Sequence, residues 1–165
     1  MHNSGTYNNQ WMVIDYKLFT PGEPLRDGLF TVLEQIPGQI HWEDKTETLR
    51  TTSYWSSYNI AYYPDIYNIS GTYDSYLKYG DFFSYTMSPR AQIFRRDHVK
   101  VHDIDSMITI MRYNNYTKDP LSVCDKCKPA YSGENTIAAR SDLNPASGVY
   151  PFVALGKYLN LYGCF

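Results

Sequence analysis

The chain has 165 residues, of which 43% are hydrophobic and 16% aromatic, and its formal net charge is -2. This length and composition predict a single domain with a real core over residues 1–165. The balance of 15 basic and 17 acidic residues argues against a nucleic-acid partner, and no run approaches the roughly 20 apolar residues that a transmembrane helix needs.

The first predicted elements are strands. Residues 10–16 (QWMVIDY) are apolar on both alternating faces, which predicts a strand buried between two layers. A second strand is predicted over residues 29–36 (LFTVLEQI). The turn dipeptide Pro37-Gly38 then allows residues 39–42 to return antiparallel. We therefore expect the first third of the chain to form an antiparallel meander in the middle of a sandwich.

Helices are predicted to follow these strands. Residues 43–49 have a helix-like composition, with a polar exposed side. Residues 72–79 place an aromatic and aliphatic group on one helical face, and Gly80 can end that helix. The shared face consists of Tyr73, Tyr76 and Leu77.

The clearest helical pattern lies at residues 104–111. Asp103 can cap its start, and Arg112 suits its last turn. Four apolar residues recur at helical spacing, namely Ile104, Met107, Ile108 and Met111. We interpret this stripe as core packing. After Asn114 the pattern predicts a long loop, which is typical of a functional or covalently stapled segment.

The loop contains the motif Cys124-Asp125-Lys126-Cys127. A zinc site is disfavoured because the remaining Cys164 is isolated, and no metal or other cofactor is expected. A redox dithiol is disfavoured because the pair lies between Pro120 and Pro129 rather than at the start of a helix. A structural disulfide in a non-cytosolic protein is the preferred interpretation, and thiol-disulfide exchange is the alternative.

Two further features concern the surface. Asn68 and Asn115 begin N-x-Ser/Thr triplets and are predicted glycosylation sites. Arg95 and Arg96 form a short basic pair that we interpret as a solvated face. No signal peptide is recognisable in the sequence.

Arg90 and a group of amides are the candidate site residues. Arg90 follows Pro89 in a tyrosine-rich chain, and we interpret it as one part of a hydrolase site. Asn8, Asn9 and Gln10 precede an apolar strand, where an amide can donate to a reacting carbonyl oxygen. A turn before the strand is the alternative explanation of the asparagines. There is no Gly-x-Ser-x-Gly motif, and a catalytic histidine is not expected.

Seven motifs together resemble the phospholipase B-like family, the lysosomal proteins related to lamina ancestor. They occur in order from about residue 4 to about residue 155, whereas residues 156–165 do not match. The motifs are TYNNQWMVIDYK (6–17), LEQIPG (33–38), YWSSYNI (54–60), YGDFFSY (79–85), SPRAQIFRR (88–96), MRYN (111–114) and ARSDLNP (139–145).

The resemblance implies a partial αββα sandwich of the N-terminal nucleophile hydrolase type, an α+β fold with antiparallel strands first and helices following. In that class self-cleavage exposes a cysteine whose α-amine can act as its base. The family's cysteine lies upstream of the matched part, so the resemblance implies a fragment that is inactive alone. It also implies a disulfide between Cys124 and Cys127, and a lysosomal or secreted location.

The resemblance further assigns roles to individual residues. Asn8 or Asn9 resembles an oxyanion-hole asparagine, Asn59 lies in a strongly matching motif, and Arg90 resembles an arginine that orders the site and favours the thiolate. The implied activity is hydrolysis of acyl ester or amide bonds in a lipid-like substrate, completed by the remaining parts of the same fold. The alternative is a non-enzymatic secreted or lysosomal binding module with an aromatic-rich surface.

Overall fold

The computed structural model describes residues 9–155 and divides the chain into two compact units, residues 1–78 and 79–165. The secondary structure is mixed, with a three-stranded antiparallel sheet and five helices in the described range. The strands come first and the helices follow, as the sequence predicts. Whether the two units form one domain stays a prediction.

The sheet of the first unit is the predicted meander. Its strands are β1 (Asn9–Ile14), β2 (Phe30–Ile36) and β3 (Gln39–Asp44), in that order, and both pairings are antiparallel. Ile36 pairs with Gln39, so the connection between β2 and β3 has two residues. Gly38 has a φ of 87°, which fits the second central position of a type II turn after Pro37.

One face of the sheet carries the core of this unit. The residues of β2 alternate between buried and half-buried, which is the pattern of a strand covered on one side. Burial of a large apolar side chain contributes roughly 1.5–3 kcal/mol, so this cluster holds the sheet against the segments that follow. The buried cluster comprises Leu29, Phe30, Val32, Ile36, Tyr63 and Ile66.

The predicted burial of β1 between two layers is wrong for the described residues. Trp11 is 54% exposed, and Met12, Val13 and Ile14 are exposed as well. β1 is an edge strand, and within residues 9–155 the face opposite the core has no second layer in its unit. The apolar pattern therefore marks a surface that needs a cover which this unit does not supply.

Three helices follow the sheet: α1 (Thr46–Thr52), α2 (Pro64–Ile69) and α3 (Thr72–Tyr79). The helix predicted from residue 43 begins later because Glu43 and Asp44 extend β3. The Asp44 carboxylate then accepts a hydrogen bond of 2.9 Å from the backbone N–H of Thr46. The sequence pattern missed α2, which begins at Pro64, whereas α3 has its predicted bounds. The apolar face predicted for α3 is exposed.

The second unit contains α4 (Pro89–Asp97) and α5 (Ile104–Met111). α5 has its predicted bounds, and Asp103 and Ser106 form a capping box at its start. Its apolar stripe does not pack in the core of the described residues, which corrects the prediction. Four of its side chains are 41–75% exposed: Ile104, Met107, Ile108 and Met111.

The predicted long loop occupies the rest of the described chain after α5. It contains short 3-10 turns, two isolated β-bridges and the disulfide between Cys124 and Cys127. Buried polar side chains hold it together. Asn144 accepts a hydrogen bond of 2.7 Å from the Gly133 N–H and donates one of 2.9 Å to the Ser132 hydroxyl. The loop is therefore ordered by polar contacts as well as by its covalent staple.

Candidate functional site

A cavity of about 440 Å³ opens in the first unit. Ligand sites commonly have volumes of roughly 300–1,000 Å³, so this cavity is large enough for part of a small molecule. Its wall is rich in groups that can make directed hydrogen bonds. The polar lining residues include Asn9, Gln10, Glu34, Gln35, Ser57 and Asn59.

Two adjacent strands and one loop position these side chains. Asn9 pairs with Gln35 and Gln10 with Glu34, so the amides and the carboxylate occupy neighbouring positions of β1 and β2. Asn59 comes from the loop between α1 and α2 and has a φ of 64°. Asparagine tolerates this left-handed conformation better than most residues, so the loop can turn sharply there. The first unit thus brings together two predicted site residues, Asn9 and Asn59.

A buried carboxylate, Glu34, lies at the base of this arrangement. Glu34 is only 2% exposed. It accepts hydrogen bonds of 2.7 Å from Gln10 Nε2 and from the Tyr62 N–H, and one of 2.9 Å from the Tyr63 N–H. These contacts tie β1 and the loop before α2 to the central strand. A buried carboxylate with three donors is compensated, and losing a donor would be costly.

Sequence reasoning missed Glu34, although a signal for it exists. In β2 the buried positions are Phe30, Val32, Glu34 and Ile36, so the glutamate falls in phase with apolar residues. A charged residue at a position that alternation assigns to the core must be paired or hydrogen-bonded. That anomaly could have indicated the polar network before the structure did.

Arg90 belongs to the second unit, in the first turn of α4, and is half-buried. Glu134 lies near it: burial raises the pKa of the Glu134 carboxyl, and a hydrogen bond with Ser141 and the positive charge of Arg90 oppose that rise. Arg90 thus has an acidic neighbour within its own unit. Asn8 lies outside the described residues, as does Cys164.

Arg95 and Arg96 are both exposed, as the sequence predicts, but Arg96 also forms ion pairs. Its guanidinium donates to the carboxylates of Asp97 and Asp119, both of which are buried. Arg95 donates to the backbone carbonyl of Thr86. Both residues of the basic pair therefore lie at the surface, and Arg96 has a structural role as an ion-pair partner as well.

His41, on β3, is held by polar and aromatic contacts. His41 Nδ1 lies 2.8 Å from Asp65, and its Nε2 lies 3.2 Å from Glu43. Its ring stacks on Tyr63 with centroids 3.9 Å apart. The hydrogen bond with Asp65 raises the pKa of His41, burial lowers it, and Glu43 adds to the rise. These contacts connect β3 to α2.

The remaining predicted residues lie at the surface or form the disulfide. Asn68 and Asn115 are both exposed, as glycan attachment requires. Cys124 and Cys127 form the disulfide. Within residues 9–155, no three His, Cys, Asp or Glu side chains are grouped so as to hold a metal ion. No helix in the same range is long and apolar enough to cross a membrane.

Comparison with known proteins identifies the family. The family model described as phospholipase B matches residues 1–162. Phospholipase B-like 2 proteins of Rattus norvegicus and Homo sapiens are 54% and 56% identical over 154 residues, which cover 93% of this chain and 26% of each relative. Phospholipase B-like protein B of Dictyostelium discoideum is 49% identical over 142 residues, 86% of this chain and 23% of the relative.

The chain therefore spans about a quarter of the length of the curated relatives that it matches. The match includes both the cavity of the first unit and the helices of the second. A family model that matches nearly the whole chain, together with identities above one half, establishes the relationship. The chain belongs to the phospholipase B family.

Proposed function

We propose that this chain is part of a hydrolase that cleaves acyl ester or amide bonds of lipid-like substrates. The observation that carries the proposal is the cavity of the first unit, which Asn9, Gln10 and Asn59 line together. Amide side chains can donate to an oxyanion without titrating, which suits the stabilisation of a tetrahedral intermediate. Family membership supports the same substrate class.

The proposed nucleophile is an N-terminal cysteine that this chain does not contain. Its α-amine takes the thiol proton, and the thiolate attacks the acyl carbonyl carbon to give a tetrahedral oxyanion. The C–O or C–N bond then breaks, the leaving group takes the proton, and an acyl-cysteine remains. Water attacks this thioester, which releases the carboxylic acid and restores the thiol. Asn8 or Asn9 donates to the oxyanion, with Asn59 as a further donor.

Arg90 has an electrostatic role in this proposal. A guanidinium near a thiol lowers the pKa of that thiol and favours the nucleophilic thiolate. The half-buried position of Arg90 supports the role, since a partly desolvated cation acts more strongly than one in water. Its neighbour Glu134 can hold the guanidinium in place within the second unit.

We propose further that the meander is one layer of an αββα sandwich of the N-terminal nucleophile type. Trp11, Leu33 and Trp42 are paired in register across the three strands, on the face opposite the core. Trp42 is 64% exposed, which is an unusual position for so large an apolar side chain. A second sheet from the remaining parts of the same hydrolase fold would cover this row.

A lysosomal or secreted location is proposed on two grounds. A disulfide persists in an oxidising compartment, and this chain has one between Cys124 and Cys127. Asn68 and Asn115 are exposed within N-x-Ser/Thr triplets, so an oligosaccharide could be attached at either position.

The experiment that tests the hydrolase proposal compares the chain alone with a chimera. In the chimera, the matched segment of this chain replaces the corresponding 154 residues of the Rattus norvegicus relative. We expect the chain alone to be inactive and the chimera to hydrolyse an acyl ester. Asn59→Gly should lower kcat by roughly 100-fold, because glycine accepts the left-handed backbone but has no amide.

The control is Asn68→Gly in the same chimera, which removes an exposed asparagine from α2 and should leave kcat unchanged. Hydrolysis by the chain alone that survives replacement of Cys124, Cys127 and Cys164 would contradict the mechanism. So would a chimera whose kcat is insensitive to Asn59→Gly.

The exposed tryptophans favour a second candidate, a non-enzymatic binding module. Trp11 and Trp42 could stack against sugar rings or a protein partner. Titration with oligosaccharides, followed by tryptophan fluorescence, tests this alternative. A saturable change that Trp42→Thr abolishes would favour the binding module over the sandwich.

A further inference from the structure

The side chain of Gln10 is held in one orientation at the cavity wall. Gln10 lies on β1 opposite Glu34, and strand alternation places its side chain on the core face of the sheet. Trp55 Nε1 donates a hydrogen bond of 2.9 Å to Gln10 Oε1. On its other side Gln10 Nε2 donates a bond of 2.7 Å to Glu34 Oε1.

These two partners determine the positions of the oxygen and the nitrogen of the Gln10 amide. An indole N–H can only donate, so the atom facing Trp55 must be the carbonyl oxygen of Gln10. A carboxylate that already receives the N–H groups of Tyr62 and Tyr63 presents acceptors, so the atom facing Glu34 must be the nitrogen. If the amide were flipped, its nitrogen would face the indole N–H of Trp55, so that two donors would meet. Its oxygen would face the Glu34 carboxylate, so that two acceptors would meet.

One N–H of Gln10 therefore remains for a ligand. The side-chain amide has two N–H groups, and Glu34 takes one of them. Within residues 9–155 the other makes no hydrogen bond, and Gln10 is one of the residues that line the cavity. A donor whose direction is fixed before binding loses little entropy when a ligand accepts from it.

Glu34 also fixes the loop that lines the cavity beside β1 and β2. Its contacts with Tyr62 and Tyr63 hold the loop that carries Asn59. β1 and this loop, which both line the cavity, thus share Glu34 as one buried anchor, and any shift of Gln10 requires the loss of a hydrogen bond to that anchor. Trp55 is itself fixed, because its ring packs edge-on against Phe30 and Tyr62.

We propose that the second Nε2–H of Gln10 donates to the carbonyl oxygen of the bound acyl group, and that Glu34 and Trp55 are positioning residues for this donor. The inference rests on the proposed acyl hydrolase function and deepens it. It adds an amide donor to those assigned from the family resemblance. Its ligand is an acyl carbonyl, either ester or amide, because the bound group must offer an acceptor to the Nε2–H.

The test uses this chain, labelled with ¹⁵N, and hexanamide as the probe. Hexanamide has an acyl chain and an amide carbonyl, and without the nucleophile the chain cannot cleave it. We expect the two Nε2 protons of Gln10 to shift unequally on titration, because only one of them contacts the probe. Trp55→Phe keeps the aromatic packing but removes the indole N–H, and should weaken the affinity about fivefold or more.

Trp42→Phe is the matched control, since Trp42 lies on the opposite sheet face and should leave the affinity unchanged. Two results would overturn the inference alone: shifts at Asn9 or Asn59 with none at Gln10, or an affinity that Trp55→Phe does not alter. The absence of a shift at any cavity residue would contradict the proposed function as well. The wild-type titration decides the point even if a variant is unfolded.

Discussion

Arg96 on α4 donates two parallel hydrogen bonds to the carboxylate of Asp119, with distances of 2.9 and 2.8 Å. The Asp119 side chain is 1% exposed and accepts a third bond, of 2.7 Å, from the Tyr113 hydroxyl. A bidentate guanidinium–carboxylate pair is among the stronger polar contacts in proteins. This pair therefore joins α4, which carries Arg90, to the ordered loop after α5.

Asp119→Asn should destabilise the chain. The substitution removes one of the two carboxylates that pair with Arg96, and breaking a partly buried pair costs roughly 2–4 kcal/mol of unfolding free energy. Urea denaturation measures the change. Asp142→Asn is the control, because Asp142 pairs with Arg140 at the exposed surface and should cost about 0.5 kcal/mol or less. Equal effects of the two substitutions would refute the structural role of Asp119.

The lowered pKa of the Asp119 carboxyl predicts that the folded chain loses stability in acid. Burial raises the pKa of Asp119, but hydrogen bonds from Arg96 and Tyr113 outweigh burial and lower it to about 2. A lowered pKa contributes stability that is complete above the unfolded value of 3.8 and is lost as pH falls through about 2. The loss amounts to about 2 kcal/mol.

The measurement is the unfolding free energy of the wild type and of Asp119→Asn between pH 5 and pH 2. The difference in unfolding free energy between the two proteins should narrow only below about pH 4. A gap that stays constant over this range would show that the carboxylate is not ionised preferentially in the folded chain.

For His41 we expect the opposite dependence of stability on pH. Its pKa is raised above 6.5, chiefly by Asp65, so its contribution to stability is complete below pH 6.5 and is lost as pH rises through the folded value. Thermal unfolding of His41→Gln should therefore be less dependent on pH between 5.5 and 8 than that of the wild type. His102→Gln is the control at an exposed position and should keep the wild-type profile.

Sequence periodicity predicted the positions of strands and helices better than it predicted which of their faces are buried. The strands around Pro37-Gly38 and the helix capped by Asp103 were predictable because turn chemistry and capping are local. α2 and α4 were not predicted, since each is short and begins at a proline. The exposure of β1 and α5 could not be predicted, because an apolar pattern indicates a face that needs cover and not which segment supplies it.

The candidate site was predictable to a similar extent. The sequence singled out the amides at the start of β1 and the Asn59 motif, and the structure places Asn9 and Asn59 on one cavity. The orientation of Gln10 could not be predicted, because it depends on Trp55, 45 residues away. Glu34 was detectable as a charge in phase with apolar residues, but its three donors come from distant segments.

The uncovered sheet face predicts self-association of the isolated chain. Trp11 and Trp42 lie on either side of Leu33 on this face, and such rows promote contacts between copies. Trp11→Thr with Trp42→Thr should weaken self-association about tenfold, which corresponds to about 1.4 kcal/mol. Sedimentation equilibrium measures the effect. Ile69→Thr, at an exposed position of α2, should not change it, and an equal effect there would contradict the prediction.

The position of the nucleophile is the central claim, and trapping the acyl-enzyme tests it most directly. The chimera with the Rattus norvegicus relative is incubated with an acyl nitrophenyl ester, denatured in acid, digested and analysed by mass spectrometry. We predict an acyl group on an N-terminal cysteine of the segment that the relative contributes, and none on the segment that this chain contributes. An acyl group on Cys124, Cys127 or any serine of that segment would contradict the account.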